Sequence, residues 1–229
     1  MSSQGSAHTR PYVHLPDEST ARDLTTYLVR AKSLDPKAAV RLQARGDILG
    51  VTVCALEPEH LLDTTPTVLG LRAIKLAEPA DLDITVEAAA LLDRLARIEQ
   101  EGLQLALPPV AVTAGWAGRT PPITGWEKSG FYLSDDARQT AKAGIETVDG
   151  ALPAHPGHAV VSTVRSRIWS SPVQTPNTQV PLPAGAAFAL EVLGFLPPRA
   201  TEPMPVWVNG DWARISARAG HVLVRSSKP

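Results

Sequence analysis

The last quarter of the chain constrains the fold most. Residues 183–196 form an apolar run whose single charge is Glu191, and Pro197-Pro198 ends it. The run has helical length, and a helix without a polar face belongs in a core or against another subunit. Strand-like runs follow at Val206–Val208 and Trp212–Ala217, with Asn209-Gly210 between them. A third run, His221–Arg225, follows a turn at Gly220. Asn-Gly between alternating apolar runs is a strong hairpin signal. The pattern predicts a helix backed by a small antiparallel sheet.

A helix with such a sheet behind it is where a winged-helix DNA reader would be sought. A recognition helix needs donors for base edges and phosphates. Residues 183–196 contain no Lys, Arg, Asn or Gln, and phosphate would repel Glu191. Net charge is -1, although residues 151–229 carry 7 Lys/Arg against 3 Asp/Glu. That balance argues against nucleic acid as a partner. The apolar helix is read instead as core or as the contact of a homo-oligomer.

Upstream, Pro16-Asp17-Glu18-Ser19 is a helix-start signature, and Leu24, Leu28, Ala31 and Leu34 mark one helix face ending before Pro36. The period then changes to two: Ala38, Val40, Leu42 and Ala44 predict a strand, Gly46-Asp47 a turn, and Ile48–Leu56 a returning strand. Thr67–Leu76 reads as a strand and Val86–Ile98 as a helix with Leu91, Leu92, Leu95 and Ile98 inward. Val110, Val112, Ala114 and Trp116 alternate as a strand would. Ser134 is placed to cap a helix over Asp135–Val148. Ala159–Trp169 reads as a helix with Val160, Val161, Val164 and Ile168 inward, and Pro172–Pro183 as a linker.

The expected class is α+β: a mainly antiparallel sheet packed with helices, then a helical segment ending in a C-terminal hairpin or meander. Residues 1–10 are expected to be a disordered tail, 11–116 an α+β sheet domain, and 117–229 the helical segment with its hairpin, packed on the first half. The start is polar and has no apolar signal-peptide core. The longest charge-poor stretch is too short to span a bilayer. A single cysteine, Cys54, excludes an internal disulfide, and its strand reads as buried. These features fit a soluble cytoplasmic protein with no membrane partner.

The chain lacks a phosphate-binding Gly-rich loop, a nucleophile elbow, a His-Glu-x-x-His helix and a Cys-x-x-Cys pair. No cofactor or metal is expected. His155 and His158 flank Pro156-Gly157, which reads as turn chemistry, and Asp81 and Asp83 would share a solvated strand face. The segment that stands out is 115–127, where Trp116, Arg119, Trp126 and Glu127 sit on a stiff Gly/Pro frame. Indole faces beside fixed charges suit ligand binding, and the same indoles would also serve to close a core.

Several stretches together carry a resemblance: Pro66–Ala73, Gly125-Trp126-Glu127, Val164–Trp169, Pro183–Ala189 and Gly220–Arg225. The chain resembles an uncharacterised protein family of actinobacteria with no assigned activity, over about residues 41–225. No functional residue follows from it.

Three functions are then in competition. The leading one is a non-enzymatic binding or scaffold protein acting through apolar surface near Trp116 and Trp126 or near the C-terminal helix. The second is an enzyme with a pocket under loop 115–127, using Glu127 and Arg119 with Asp135 or His155. The third is a nucleic-acid binder through residues 151–229.

Overall fold

A computed structural model describes residues 11–59, 63–98, 100–155, 157–199 and 201–226, the side chain of His158 excepted. The expected tail, residues 1–10, lies outside them. The class is α+β, with a mainly antiparallel sheet and five helices among the described residues.

The chain starts with a short strand, β1 (Tyr12–His14), and α1 (Glu18–Leu34). The Asp17 carboxylate caps α1 by accepting from Thr20 N at 2.7 Å. The α1 stripe Ala21, Leu24, Tyr27, Leu28 and Ala31 is buried. Next come two long strands, β2 (Ala39–Leu56) and β3 (Thr67–Glu87), paired antiparallel.

The turn expected at Gly46-Asp47 is not a reversal. β2 runs straight through it, and the register shifts between Gly46 and Ile48. Gly46 takes φ +62°, and at the register shift the single residue Asp47 lies opposite Leu76–Pro79 of β3, where the buried positions of β2 change parity. Val40, Leu42 and Ala44 are buried before the bulge and Leu49, Val51 and Val53 after it, so one face stays inward. Two runs of opposite parity around Gly-Asp look alike whether the chain turns back or bulges.

Helix α2 (Ala88–Leu95) begins two residues later than expected, because Val86 and Glu87 still pair in β3. Leu91, Leu95 and Ile98 are buried, and Leu92 is half-buried against the same core. The strand β4 (Gln104–Ala106) pairs with β1. The strand expected over 110–116 is absent: Val110 is 70% exposed, and Gly115–Gly118 forms a 3-10 turn. Alternation there reflects a single covered face without a neighbouring strand.

β5 (Glu127–Leu133) leads into α3 (Ser134–Ala151) and α4 (His158–Trp169). Ser134 does not cap α3; its Oγ accepts from Glu202 N at 2.9 Å. Val160 on α4 points out at 44% exposure, against expectation, while Trp169 is buried and stacks on Phe188 at 4.4 Å. The proline-rich linker holds a two-stranded pair, β6 (Pro172–Val173) and β7 (Leu182–Pro183). It leads into α5 (Ala184–Val192), in which every residue from Ala184 to Leu190 is buried. Of the two roles read for this helix, core is the one observed, because sheet and helices cover it on all sides.

The chain ends in β8 (Pro203–Asn209), β9 (Trp212–Ala217) and β10 (Gly220–Arg225), joined by turns at Gly210-Asp211 and Arg218-Ala219, next to the positions the sequence suggests. These strands are not a separate small sheet. They lie in the middle of a six-stranded sheet of order β2-β3-β10-β9-β8-β5. One edge, β5, is covered by residues 177–179: Phe131 N donates to Asn177 O at 3.0 Å and Gln179 N to Ser129 O at 3.1 Å. Gly130 allows that approach, since a Cβ there would meet Asn177 O at 1.9 Å. The other edge, β2, has no backbone hydrogen bond to a further segment among the described residues.

Leu95 joins α2 to the main core with Val40, Leu42, Val51 and Val53. Leu95→Ala is expected to cost about 2–5 kcal/mol, measured by denaturant unfolding. An effect near zero would contradict this packing.

Candidate functional site

The sheet has two faces. Val40, Val53, Val68, Val222, Ile215 and Val206 point to the helices and form the main core. The alternate residues point the other way and line up across the strands. One cross-strand row reads Lys128, Trp207, Arg214, Leu223, Leu69, Cys54. A neighbouring row reads Ser216, His221, Leu71, Thr52. Cross-strand partners share a face, so this outer face carries aromatic, apolar and cationic groups together.

Residues 114–126 lie over that outer face. Trp116 is buried against Leu69, Trp212 and Leu223, a cluster separate from the main core. Trp126 packs on the same cluster, half-buried, and its indole N–H donates to Pro122 O at 2.9 Å. Side chains from the sheet hold the loop down. Arg41 is bidentate to Asp83, at 2.8 Å in both contacts, and donates to Ala117 O at 2.8 Å and Thr120 Oγ1 at 3.2 Å. The hydrogen bonds that Arg41 donates to Asp83 raise the pKa of its guanidinium, and they lower that of the Asp83 carboxyl. Asn209 Nδ2 donates to Thr124 O at 2.8 Å. Trp116 N–H bonds the Glu57 carboxylate.

The four residues singled out in sequence are only partly brought together. Trp116 and Trp126 share one patch. Arg119 and Glu127 are exposed and make no ion pair among the described residues. Glu127 pairs with Val208, and alternation puts it on the face opposite Trp207. Beneath the loop the space is filled by Trp116, Leu69, Trp212 and Leu223.

The cation that does meet an indole is Arg214, which lies outside the segment 115–127 singled out in the sequence. Its guanidinium carbon lies 4.6 Å from the Trp126 ring centroid and 5.7 Å from that of Trp207. Both distances are within cation–π range. Arg214 has no ion pair among the described residues, and its Nε is buried without an acceptor. A buried donor left unpaired costs about 1–3 kcal/mol. Burial lowers the Arg214 pKa from its usual value. Trp207 and Arg214 are equidistant from the observed turn at Gly210-Asp211, whereas a turn centred on Asn209-Gly210, as read from the sequence, would pair Trp207 with Trp212.

Other sequence candidates fall apart. Asp83 is the partner of Arg41, and Asp81 stands opposite Arg45 in register. His155 is exposed with φ +60°, and its expected companion His158 has no described side chain. No group of three or more metal-ligating side chains is assembled among the described residues. The Cys54 thiol is pushed well up, by burial first and by the Glu57 charge second, and it donates to Leu56 O at 3.3 Å. No helix among the described residues is long and apolar enough to cross a membrane.

On the far side of Trp116 a cleft of about 630 Å³ opens between the ends of α1 and β2 and helix α4, with Asp35, Glu57, Ser162, Arg165 and Ser166 on its walls. It does not include Arg119, Trp126 or Glu127.

With this geometry in view, comparison with known proteins is informative. Residues 8–118 match a domain of unknown function (DUF8010), and residues 121–229 match a second domain of unknown function (DUF8185). Each half of the chain thus matches a domain family of unknown function, in keeping with the resemblance to an uncharacterised family read from the sequence. No curated protein matches. The fold is similar to that of a candidate DNA polymerase III beta subunit from Eubacterium rectale ATCC 33656, with a TM-score of 0.53 at 7% identity. That match covers 96% of this chain and 65% of the other. The DNA polymerase III subunit beta from Pseudomonas aeruginosa matches at a TM-score of 0.49 and 12% identity, over 96% of this chain and 65% of that one. The Caulobacter crescentus pol III beta matches at 0.46 and 12%, over 91% and 64%. The chain therefore spans less than two thirds of the length of these proteins, and the likeness is one of fold.

His221 sits beside Arg214 on the outer face, with Nδ1 3.1 Å from Ser216 Oγ. Burial, then the Arg214 charge, lowers its pKa below 6.5. The unfolded chain therefore binds more protons than the folded one in that window. Stability is expected to fall as pH drops through 6.5 toward the folded value. Denaturant midpoints measured across that range should lose this slope in His221→Gln; an unchanged slope would contradict the assignment.

Proposed function

We propose that the protein is a clamp-like scaffold: a non-enzymatic binding protein that assembles with copies of itself and holds protein partners. The observation that carries this reading is the fold, shared over 96% of the chain with a candidate DNA polymerase III beta subunit. On this reading the division near residue 117 is the junction of two domains that share one sheet. Trp116 and Trp126 belong to the binding surface, with Arg119 and Glu127 at its margin.

Assembly is supported by the asymmetry of the sheet edges. β5 is covered, whereas the 18 residues of β2 offer an edge that makes no further backbone pairing among the described residues. An open edge of that length is a template for another strand. A bulge at Gly46 is its visible guard. A second copy adding its own β2 would satisfy both edges at once, in a two-fold arrangement. This replaces α5, which is already buried, as the proposed subunit contact.

The name of the similar protein also raises DNA as a partner. Charge weighs against it. Helices α1, α3 and α4 carry seven Lys/Arg against six Asp/Glu, too even a balance to neutralise a run of phosphates.

Light scattering over a concentration series is expected to show a dimer or larger assembly whose β2 amides exchange more slowly than in the dilute protein. A monomer at every concentration would overturn assembly. In a mobility-shift assay with duplex DNA, no salt-sensitive binding is expected. A shift that weakens steeply with salt, and is lost on replacing Arg165 and Arg167, would overturn the preference for protein partners.

A further inference from the structure

We propose that the outer-face patch formed by Trp126, Trp207 and Arg214 docks an acidic segment of a partner protein, a short run with a carboxylate beside an apolar side chain. The proposal takes the class of occupant, a protein, from the scaffold reading, and takes its chemistry from the patch alone.

The cation comes first. Arg214 is held over two indoles at 4.6 and 5.7 Å, so its position is set before any partner arrives. No carboxylate among the described residues pairs with it. The acids around it are committed elsewhere or face away: Asp211 pairs with Arg225 at 3.0 Å, and Glu127 is on the other side of the sheet. Lys128, in register with Trp207, is exposed and likewise without an ion-pair partner among the described residues. The local charge is positive and calls for an anion.

The shape and apolar surface decide which anion. Trp126, Trp207 and Arg214 are each half-buried, so each keeps a face toward solvent. The turn that Trp126 closes on Pro122 O carries Ile123, which is 72% exposed. An apolar tip, two indoles and two unpaired cations together match a segment with both apolar and acidic side chains. Aromatic and Arg-rich centres of this kind dominate protein interfaces. A nucleic-acid strand would need a longer cationic track than Arg214 and Lys128, with Arg119 on the loop beside them, provide. Arg214 is also rigid where Lys128 is not, so orientation of the carboxylate falls to Arg214.

The test uses short synthetic peptides in which Glu or Asp alternates with Leu and Phe, and the same peptides with Gln or Asn in place of the acids. Binding to the full chain is read by tryptophan fluorescence and calorimetry. The acidic peptides are expected to bind, to weaken with salt, and to outbind the amide versions roughly tenfold or more, as one charge-assisted pair would give. Arg214→Gln should remove that preference and Arg214→Lys restore part of it. If Arg214→Gln lowers the melting temperature, the exposed substitutions Lys128→Glu and Ile123→Ser decide instead, and both should weaken binding without unfolding the chain. Equal binding of acidic and amide peptides, or binding that none of these variants alters, overturns the proposal. A single-stranded oligonucleotide competing at the patch more strongly than the acidic peptides also overturns it. Light scattering on the same samples keeps the outcome apart from that for self-assembly.

Discussion

The ladder between β3 and β10 is the contact on which the architecture rests. Thr67 to Leu71 pair with Arg225 to His221, joining the first long ribbon to the last three strands. Without that ladder the chain would hold a two-stranded ribbon and a separate meander, and each would expose one apolar face. With it, six strands form one surface broad enough for α1, α2, α3 and α5 to share. The seam is tight. A Cβ on Gly70 would meet Leu193 at 2.2 Å, and one on Gly220 would meet Phe195 at 2.6 Å. The residues that follow α5 therefore press directly on the strands that join the halves.

Because the inner face is used by helices, the outer face is left to the connection between the halves. The segment from β4 to β5 crosses it and seals part of it with Trp116. Arg41 fastens the crossing from one end and Asn209 from the other. The same crossing brings Trp126 over Arg214. One loop thus does two things: its buried indole completes a small second core, and its half-buried indole positions a cation at the surface. A loop that is pinned in this way loses little entropy when it meets a partner.

Among the described residues the sheet has one covered edge and one without further backbone pairing, helices on one face and an aromatic–cationic patch on the other. The cleft beside Trp116 has a modest place, as a gap between α4 and the end of β2.

The sequence by itself determined the elements whose signal is local. The Asp17 cap, the α1 stripe, the α2 stripe through Leu95, and the turns next to Asn209-Gly210 and Gly220 all follow from backbone and side-chain rules that act over a few residues. Polarity also marked α5 as a helix with no face for water. Tertiary structure alone decided what lies next to what. Gly46-Asp47 is a bulge because β3 offers a partner long enough to continue alongside β2. Residues 110–116 alternate without forming a strand: Val112 N donates to Thr85 O of β3 at 2.8 Å, and this single bond does not extend into a ladder. Trp126 stood out in the sequence, but its cation did not: Arg214 is 88 positions away in the chain and reaches it only because β9 lies two strands from β5. Glu127 is turned away from Trp207 by strand parity in β5, while Arg119 stays exposed in the loop that crosses the outer face.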